Sequence, residues 1–451
     1  MCILALLALI LGSISGFTQE QEKTTSKYFQ LDNGLKVFLY KREVLPLFHL
    51  SFAVNIGSKD ESDETSGIVH ILEHYILFQG TEFREGREIA LETRQHGAYF
   101  NAHTGRDIAI FELSLPSEHA YFALKNQKEI LFHLKLTQEN LDKEKKVILE
   151  ELSQLYDDPL KYATSIVYQN LFRNHPYHNP IYGKKEIIEA ITVQQVEDFY
   201  KQYFVPNNCA LAIVGSFDLA DMEEKIKETF KGLSTGTNTS LTSTQFHMVS
   251  PLKKPIEIEH QMDVNQAYMV IGSLAPDYNN PDQYAVDLLT EILGRGINPM
   301  LNYPLRGRRE LVYTVSMGYS AYKYGGAMLI YLTLDPKNIN AAKRETIRFL
   351  KTTRQQNYSK KDFYGESQFY ALDFLEYAKN QMKFKYHKSQ ENGLAIANSL
   401  ARYMLLNTLP QRGGYLENIE KISSSDLRKV AGNYLSKGNF VIVTIPPKKK
   451  K

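Results

Sequence analysis

The sequence predicts an α+β fold made of two homologous domains, each a mostly antiparallel sheet with helices packed on one face. Three observations carry this. Strand-like and helix-like segments come in clusters instead of strict alternation, which points away from a doubly wound parallel sheet. A segment starting at Ile191, ITVQQVEDFYKQYFVPNNCALAIVG, returns at Ile422 as ISSSDLRKVAGNYLSKGNFVIVTIP. Between the two copies lies STGTNTSLTSTQFHMVSPLKKP, polar and without hydrophobic period, which reads as a linker.

The repeat holds a constant offset of 231 positions, so that Ile191 meets Ile422, Val196 meets Leu427, Tyr203 meets Tyr434 and Asn208 meets Asn439. Each copy reads as a Ser/Thr-capped amphipathic helix, a turn and an apolar strand. Upstream, VNIGSKDESDETSGIVHILEHYILFQG and MVIGSLAPDYNNPDQYAVDLLTEILGRG both run strand, IGS, polar loop, apolar helix, Gly. Here Gly57 pairs with Gly272 and Gly80 with Gly296. The expected layout is a first domain over 26–233, a linker over 234–251 and a second domain over 252–447.

Within the first half, YFQLDNGLKVFLYKRE is a hairpin signal, with Asn33-Gly34 as its turn. PLFHLSFAVNIGS continues the sheet. Helices are expected near 66–79 and 85–96, the second ended by Gly97, then strands at AYFNAH and RDIAIFELSLP. Further helices follow near 117–133 and 138–156.

Composition is that of an ordinary globular chain. Of 451 residues, 43% are hydrophobic and 23% charged, enough for two sizeable cores. The net charge of +2 and the absence of a basic block, the terminal lysines apart, exclude nucleic acid as an expected partner. The N-terminal run MCILALLALILGSISGFTQEQEKTT reads as a signal-peptide core followed by small residues, with cleavage near Ser15 or Thr18. It is too short for a comfortable membrane span. No Lys or Arg precedes it, which is unusual for an export signal and leaves an N-terminal anchor as the alternative. Export to a bacterial periplasm is the expectation. Cleavage would leave Cys209 as the sole cysteine, in an apolar run where a buried, inert thiol is expected.

The stretch SGIVHILEHYILFQGT, residues 66–81, interrupts an apolar helix with His70, Glu73 and His74. Burying such groups is costly without partners. In the second copy their places fall near Val286, Leu289 and Thr290, so the scaffold does not need them. His70 and His74 are one turn apart, roughly 5–6 Å at Cβ, a spacing from which two imidazoles can converge on one Zn²⁺. Glu73, beside the same face, is placed to take a proton from a metal-bound water. A third ligand has to come from elsewhere, and the helix QENLDKEKKVILEELSQLYDDP offers Glu139, Glu144, Glu150 and Glu151. Glu144 and Glu151 are two turns apart and share a face, with Val147 and Ile148 between them turning it inward. Glu139 lies in the first turn, where a carboxylate serves the helix dipole. Glu150 is expected to point to solvent.

These residues resemble a known family. HILEHYILFQGT resembles the inverted-zincin motif of the pitrilysin, insulin-degrading enzyme and mitochondrial processing peptidase superfamily, in its short two-domain bacterial form. HGAYFNAHTGRDIAIF is similar to the family's Gly…Asn-Ala-x-Thr strand, DKEKKVILEELSQLYDDP to its distal-glutamate helix, and EILGRGINPMLNYPLRGRRELVYTV to its second-domain Arg/Tyr segment. The resemblance covers nearly the whole chain. It implies His70, His74 and Glu151 as ligands of one zinc per chain, Glu144 as the carboxylate orienting a ligand, and Glu73 as general base. Glu151 is preferred to Glu150 because the family's ligand directly precedes an apolar residue, here Leu152. Arg306 and Tyr313 would hold the substrate and stabilise the oxyanion. Asn101 and Ala102 would line an edge that takes a peptide as an added strand. One departure stands out: the segment before the Arg carries Arg295, Asn298 and Pro299 where family members often have Gly-Gly and Ser-Arg. His103, a lone strand histidine, is read as structural.

The resemblance thus implies a zinc-dependent endopeptidase acting on peptides or unfolded segments through a zinc-bound water. It also implies a clam-like chamber completed by a second copy or by a paralogue. The alternative, a non-catalytic subunit of a peptidase-like assembly, is set against the intact motif, because structural members typically lose part of it.

Overall fold

The computed structural model describes residues 25–236, 248–296, 299–358, 373–409 and 413–448. The expected export segment, most of the expected linker, Asn298 and the last three lysines lie outside the described residues.

The first sheet has six strands: β1 Thr25–Gln30, β2 Lys36–Lys41, β3 Leu47–Val54, β4 Tyr99–Thr104, β5 Ala109–Pro116 and β6 Cys209–Gly215. Their order is β1-β2-β6-β3-β5-β4, antiparallel throughout except where β2 runs parallel to β6. The β1–β2 hairpin turns where Asn33-Gly34 predicts it. Gly34 has φ +88° and donates its N–H to the Leu31 carbonyl at 2.8 Å, a backbone conformation that suits glycine.

The second sheet comprises β7 Ile256–Glu259, β8 Ala267–Ala275, β9 Thr314–Ala321, β10 Gly326–Leu334 and β11 Val441–Ile445. Its order, β7-β11-β8-β10-β9, repeats that of the first sheet from β2 onward, including one parallel pair, β7 with β11. The repeat in the sequence is therefore a repeat of topology.

The helices used below are α1 Ile68–Phe78, α2 Gly86–Gln95, α3 Ala120–Phe132, α4 Gln138–Asp157, α5 Pro159–Leu171, α6 Val193–Tyr203 and α7 Leu219–Thr229 in the first half. In the second half they are α8 Asp282–Gly294, α9 Ile339–Thr352, α10 Phe374–Ser389 and α11 Gly393–Leu405. One face of the first sheet (Val37, Leu50, Phe52, Phe111, Leu211, Ile213) packs on α1, α3, α4, α6 and α7 in one apolar core. The second sheet does the same with α8, α9 and α10.

The other faces are covered by exchange, which the sequence does not reveal. Ala163, Val167 and Leu171 of α5 pack on Val270, Leu329, Val441 and Val443 of the second sheet. Ile396, Ala397, Leu400 and Ala401 of α11 pack on Ala53, Ala210, Ala212 and Val214 of the first. Strand alternation makes this possible: in β6, Leu211 and Ile213 face the home helices while Ala210, Ala212 and Val214 face α11. The approach is close. A Cβ on Gly272 would come within 2.3 Å of Val167 Cγ1.

Among the described residues no helix is long and apolar enough to cross a membrane. Cys209 is buried, and burial pushes its thiol pKa up, as an inert thiol requires.

Candidate metal centre

α1 begins without a side-chain cap. Gly67, at φ +96°, turns the chain into the helix, and the buried Glu61 carboxylate accepts the N–H groups of Gly67 (2.9 Å) and Val69 (3.2 Å). A helix N-terminus favours such an anion. Gly67 also allows the 180–183 loop to come near: a Cβ there would lie 2.9 Å from Gly183 Cα. That approach sets the Tyr182 ring edge-on to His70, with centroids 4.9 Å apart.

Ile68, Val69, Ile71, Leu72, Tyr75 and Ile76 anchor α1 in the core and hold His70 and His74 on one buried face. The two imidazole rings meet edge to face, 4.7 Å between centroids. α4 crosses below, capped by Thr137 and anchored by Leu141, Ile148 and Leu152. Its Glu151 carboxylate reaches both histidines: Oε2 lies 3.6 Å from His70 Nε2 and 3.5 Å from His74 Nε2. Among the described residues these three form the one group of His, Cys, Asp or Glu side chains able to hold a metal, with ligand atoms all within 4.8 Å of one another.

The geometry fits a tetrahedral zinc. Bonds of about 2.0–2.1 Å place adjacent ligand atoms roughly 3.3–3.4 Å apart. The two distances from Glu151 are within a few tenths of an ångström of that. With three protein ligands, one tetrahedral position remains for water or substrate, as catalytic zinc sites require.

Glu144 sits directly behind. Its Oε2 is 2.9 Å from His74 Nδ1, and Gln79 donates to its other oxygen. A carboxylate on Nδ1 keeps Nε2 free to ligate and fixes the ring's orientation. Burial alone lowers the His74 pKa, but Glu144, Glu151 and Glu73 outweigh it, and the net shift is upward. His70 has no such carboxylate. Burial and the neighbouring His74 lower it to about 3, so it is neutral and ligand-ready.

Glu73 projects beside the pair, half-buried. Burial raises its pKa, partly countered by the hydroxyl of Thr104, which donates to Glu73 Oε2. Thr104 ends β4, the edge strand of the first sheet, with Asn101 half-buried and Ala102 buried on that strand. β5 is hydrogen-bonded along one side of β4, and no strand pairs with its other side among the described residues.

The remaining sequence candidates fall as follows. Glu150 is exposed, and Glu139 is exposed in an ion pair with Lys143. Val147 faces outward, contrary to expectation, because the interior stripe of α4 runs Leu141, Glu144, Ile148, Leu152. His103 is exposed, with Nε2 3.3 Å from Glu112. Arg306, on the turn Tyr303–Gly307, and Tyr313, just before β9, are both exposed, and neither hydrogen-bonds or ion-pairs with the cluster. The sequence assigns no role to Thr104, Gln79 or Tyr182. Thr104 had a signal, since it is the Thr of the Asn-Ala-x-Thr strand already singled out.

Two family models match the chain, described as Insulinase (Peptidase family M16) over residues 42–185 and Peptidase M16 inactive domain over 190–367. The chain belongs to peptidase family M16. The M16 relatives include an uncharacterized zinc protease, YmxG, of Bacillus subtilis (strain 168), 23% identical over 79% of this chain and 82% of its own length. Another is the zinc protease PqqE of Helicobacter pylori (strain ATCC 700392 / 26695), 22% identical over 92% of both chains. Among solved structures, a protease from Helicobacter pylori superposes with TM-score 0.84 at 22% identity, covering 94% of this chain and 100% of the other. A structure described as a peptidase M16 inactive domain from Pseudomonas fluorescens gives TM-score 0.80 at 20% identity, covering 95% and 99%. The M16 fold is thus found along nearly the whole chain. The M16 model that carries the motif-bearing half spans His70, Glu73, His74, Glu144 and Glu151.

Proposed function

We propose that this M16 chain is a zinc-dependent endopeptidase that hydrolyses peptides or unfolded segments. The observation that carries the reading is the convergence of His70, His74 and Glu151 from two helices, with the Glu73 carboxylate beside them. His70, His74 and Glu151 would hold one Zn²⁺. When bound, the ion supplies a Lewis acid that polarises the scissile carbonyl and acidifies a water.

This chain's own residues do the rest. Glu73 takes the proton from the attacking water and passes it to the leaving amine. Burial supports that role, since it raises the carboxylate's proton affinity towards the working range, while Thr104 holds its orientation. Glu144 and Gln79 keep His74 pointed at the metal position. The open edge of β4 receives the substrate backbone as an added strand, which asks little of substrate sequence. Arg306 and Tyr313 meet the substrate from the second half and stabilise the developing oxyanion. A second copy of this chain, or a paralogue, closes the chamber, and the protein acts after export, in a bacterial periplasm.

Metal analysis together with cleavage of a quenched fluorescent peptide library tests this. Purified protein should carry about one zinc per chain, and a chelator should abolish cleavage. Glu73→Gln should keep its zinc and lose activity by about 10²–10⁴-fold. Cleavage by Glu73→Gln at the wild-type rate overturns the mechanism. Loss of zinc in Glu150→Gln but not in Glu151→Gln overturns the ligand set.

A further inference from the structure

A second cavity, of about 570 Å³, opens between α8, the β9–β10 hairpin and α11, away from the His70 cluster. The rings of Tyr278, Tyr284, Tyr319 and Tyr403 wall it. It contains two opposed charges that have no ionic partner among the described residues. Asp287, on α8, is deep yet still open to the cavity. It accepts one hydrogen bond, from Tyr415 Oη at 3.0 Å, and no Lys, Arg or His nitrogen lies within ion-pair distance. Arg402, on α11, is exposed at the rim. Its single hydrogen bond goes to the Ala321 carbonyl at 3.4 Å, and no carboxylate pairs with it.

An unpaired carboxylate and an unpaired guanidinium in one aromatic-walled cavity decide what can bind. A simple anion meets Asp287, a simple cation meets Arg402, and a neutral apolar molecule satisfies neither. A molecule with one free ammonium and one free carboxylate satisfies both with charge-assisted hydrogen bonds. Tyrosine faces around the ammonium add cation–π attraction. Further unmet polar capacity lines the same space, since the hydroxyls of Tyr278 and Thr408, residues 8% and 1% exposed, have no hydrogen-bond partner among the described residues. Such groups call for a polar guest.

We propose that this cavity binds a small zwitterion, a free α-amino acid or a short peptide, with its ammonium at Asp287 and its carboxylate at Arg402. Burial raises the Asp287 carboxyl to about 6, because the Tyr415 hydrogen bond and the more distant charges of Arg295 and Lys385 only partly offset the loss of water. The site is independent of the peptidase reading, because none of its residues belongs to the metal cluster.

Isothermal titration of the full chain after chelator dialysis, with L-leucine and with L-leucyl-L-leucine, tests the proposal. Saturable binding of either probe is expected, and which of the two binds more tightly tells amino acid from peptide. N-acetylated and C-amidated forms should each bind about tenfold or more weakly, as should Asp287→Asn and Arg402→Ala. Arg402 is on the surface, so Arg402→Ala keeps the test decisive should Asp287→Asn fail to fold. No binding up to about 10 mM overturns the proposal. So does binding that survives both blocked termini, or that Arg402→Ala leaves unchanged.

Discussion

Glu144 lies outside the His70, His74 and Glu151 group, yet it holds the His74 ring within it. Its Oε2 on His74 Nδ1 and its bond from Gln79 leave it no freedom to turn away. Partners of this kind typically contribute about 10–100-fold to metal affinity. Glu144→Gln should therefore weaken zinc binding by that factor in competition with a chromophoric chelator, while the fold persists. An unchanged affinity would show that His74 needs no support. The spacing of Glu144 and Glu151 placed both on one face of a helix, so the pair was legible from residue numbers alone. Gln79, Thr104 and Tyr182 were less so. Each meets the cluster through tertiary packing, and no local period encodes a partner that lies 65 residues away, as Glu144 does from Gln79. Val147 shows the opposite error. Being apolar made it look like core, but only Ile148 falls on the buried stripe.

At the scale of elements, α1 and α8 are the same helix written twice, and comparing them isolates what the metal motif adds. Val286, Leu289 and Thr290, which stand where the sequence repeat sets His70, Glu73 and His74, are fully buried in the second core, as the repeat implied. One position further on, α8 carries Asp287 and Glu291, and Glu291 pairs with Lys385 of α10. The second half thus joins its helix pair with a Glu–Lys contact where the first half brings together histidines and Glu151. The repeat did not foretell this, because the charges sit off the register that aligns the two copies. Asp287 has a measurable consequence. Its folded-state value of about 6 stands above the ordinary 3.8, so the folded chain holds its proton more tightly than the unfolded chain. The contribution of this group to stability is then highest below the unfolded value and falls as pH rises through about 4 to 6, levelling off above that. Asp287→Asn can still accept the Tyr415 hydroxyl and never ionises. In urea titrations the variant should be level with wild type near pH 4 and more stable at pH 8, by on the order of 1–3 kcal/mol. A variant that is less stable than wild type at pH 8 would contradict this account.

The whole molecule is held as one by two helices that each serve the other half. Hydrophobic periodicity can give a helix an apolar face, but it does not say which sheet receives that face. The exchange is therefore invisible in a sequence whose repeat is otherwise plain. Its consequence is that neither half can bury both faces of its own sheet. A fragment of residues 25–236 would leave Ala53, Ala210, Ala212 and Val214 uncovered, and the Ala163, Val167 and Leu171 face of α5 without its sheet. Apolar area of that kind is worth about 25 cal/mol per Å² when it leaves water, and exposing it invites association. The fragment should bind a hydrophobic dye, aggregate and lack a cooperative thermal transition, and supplying residues 248–451 in trans should restore a soluble complex. In the intact chain, Leu400→Ala on α11 should cost about 2–5 kcal/mol. Calorimetry should still show a single transition, because weakening one exchanged helix weakens both sheets together. Two separated transitions in that variant, or a cooperatively folded fragment, would mean that each half is stable alone and that the exchange is only a contact.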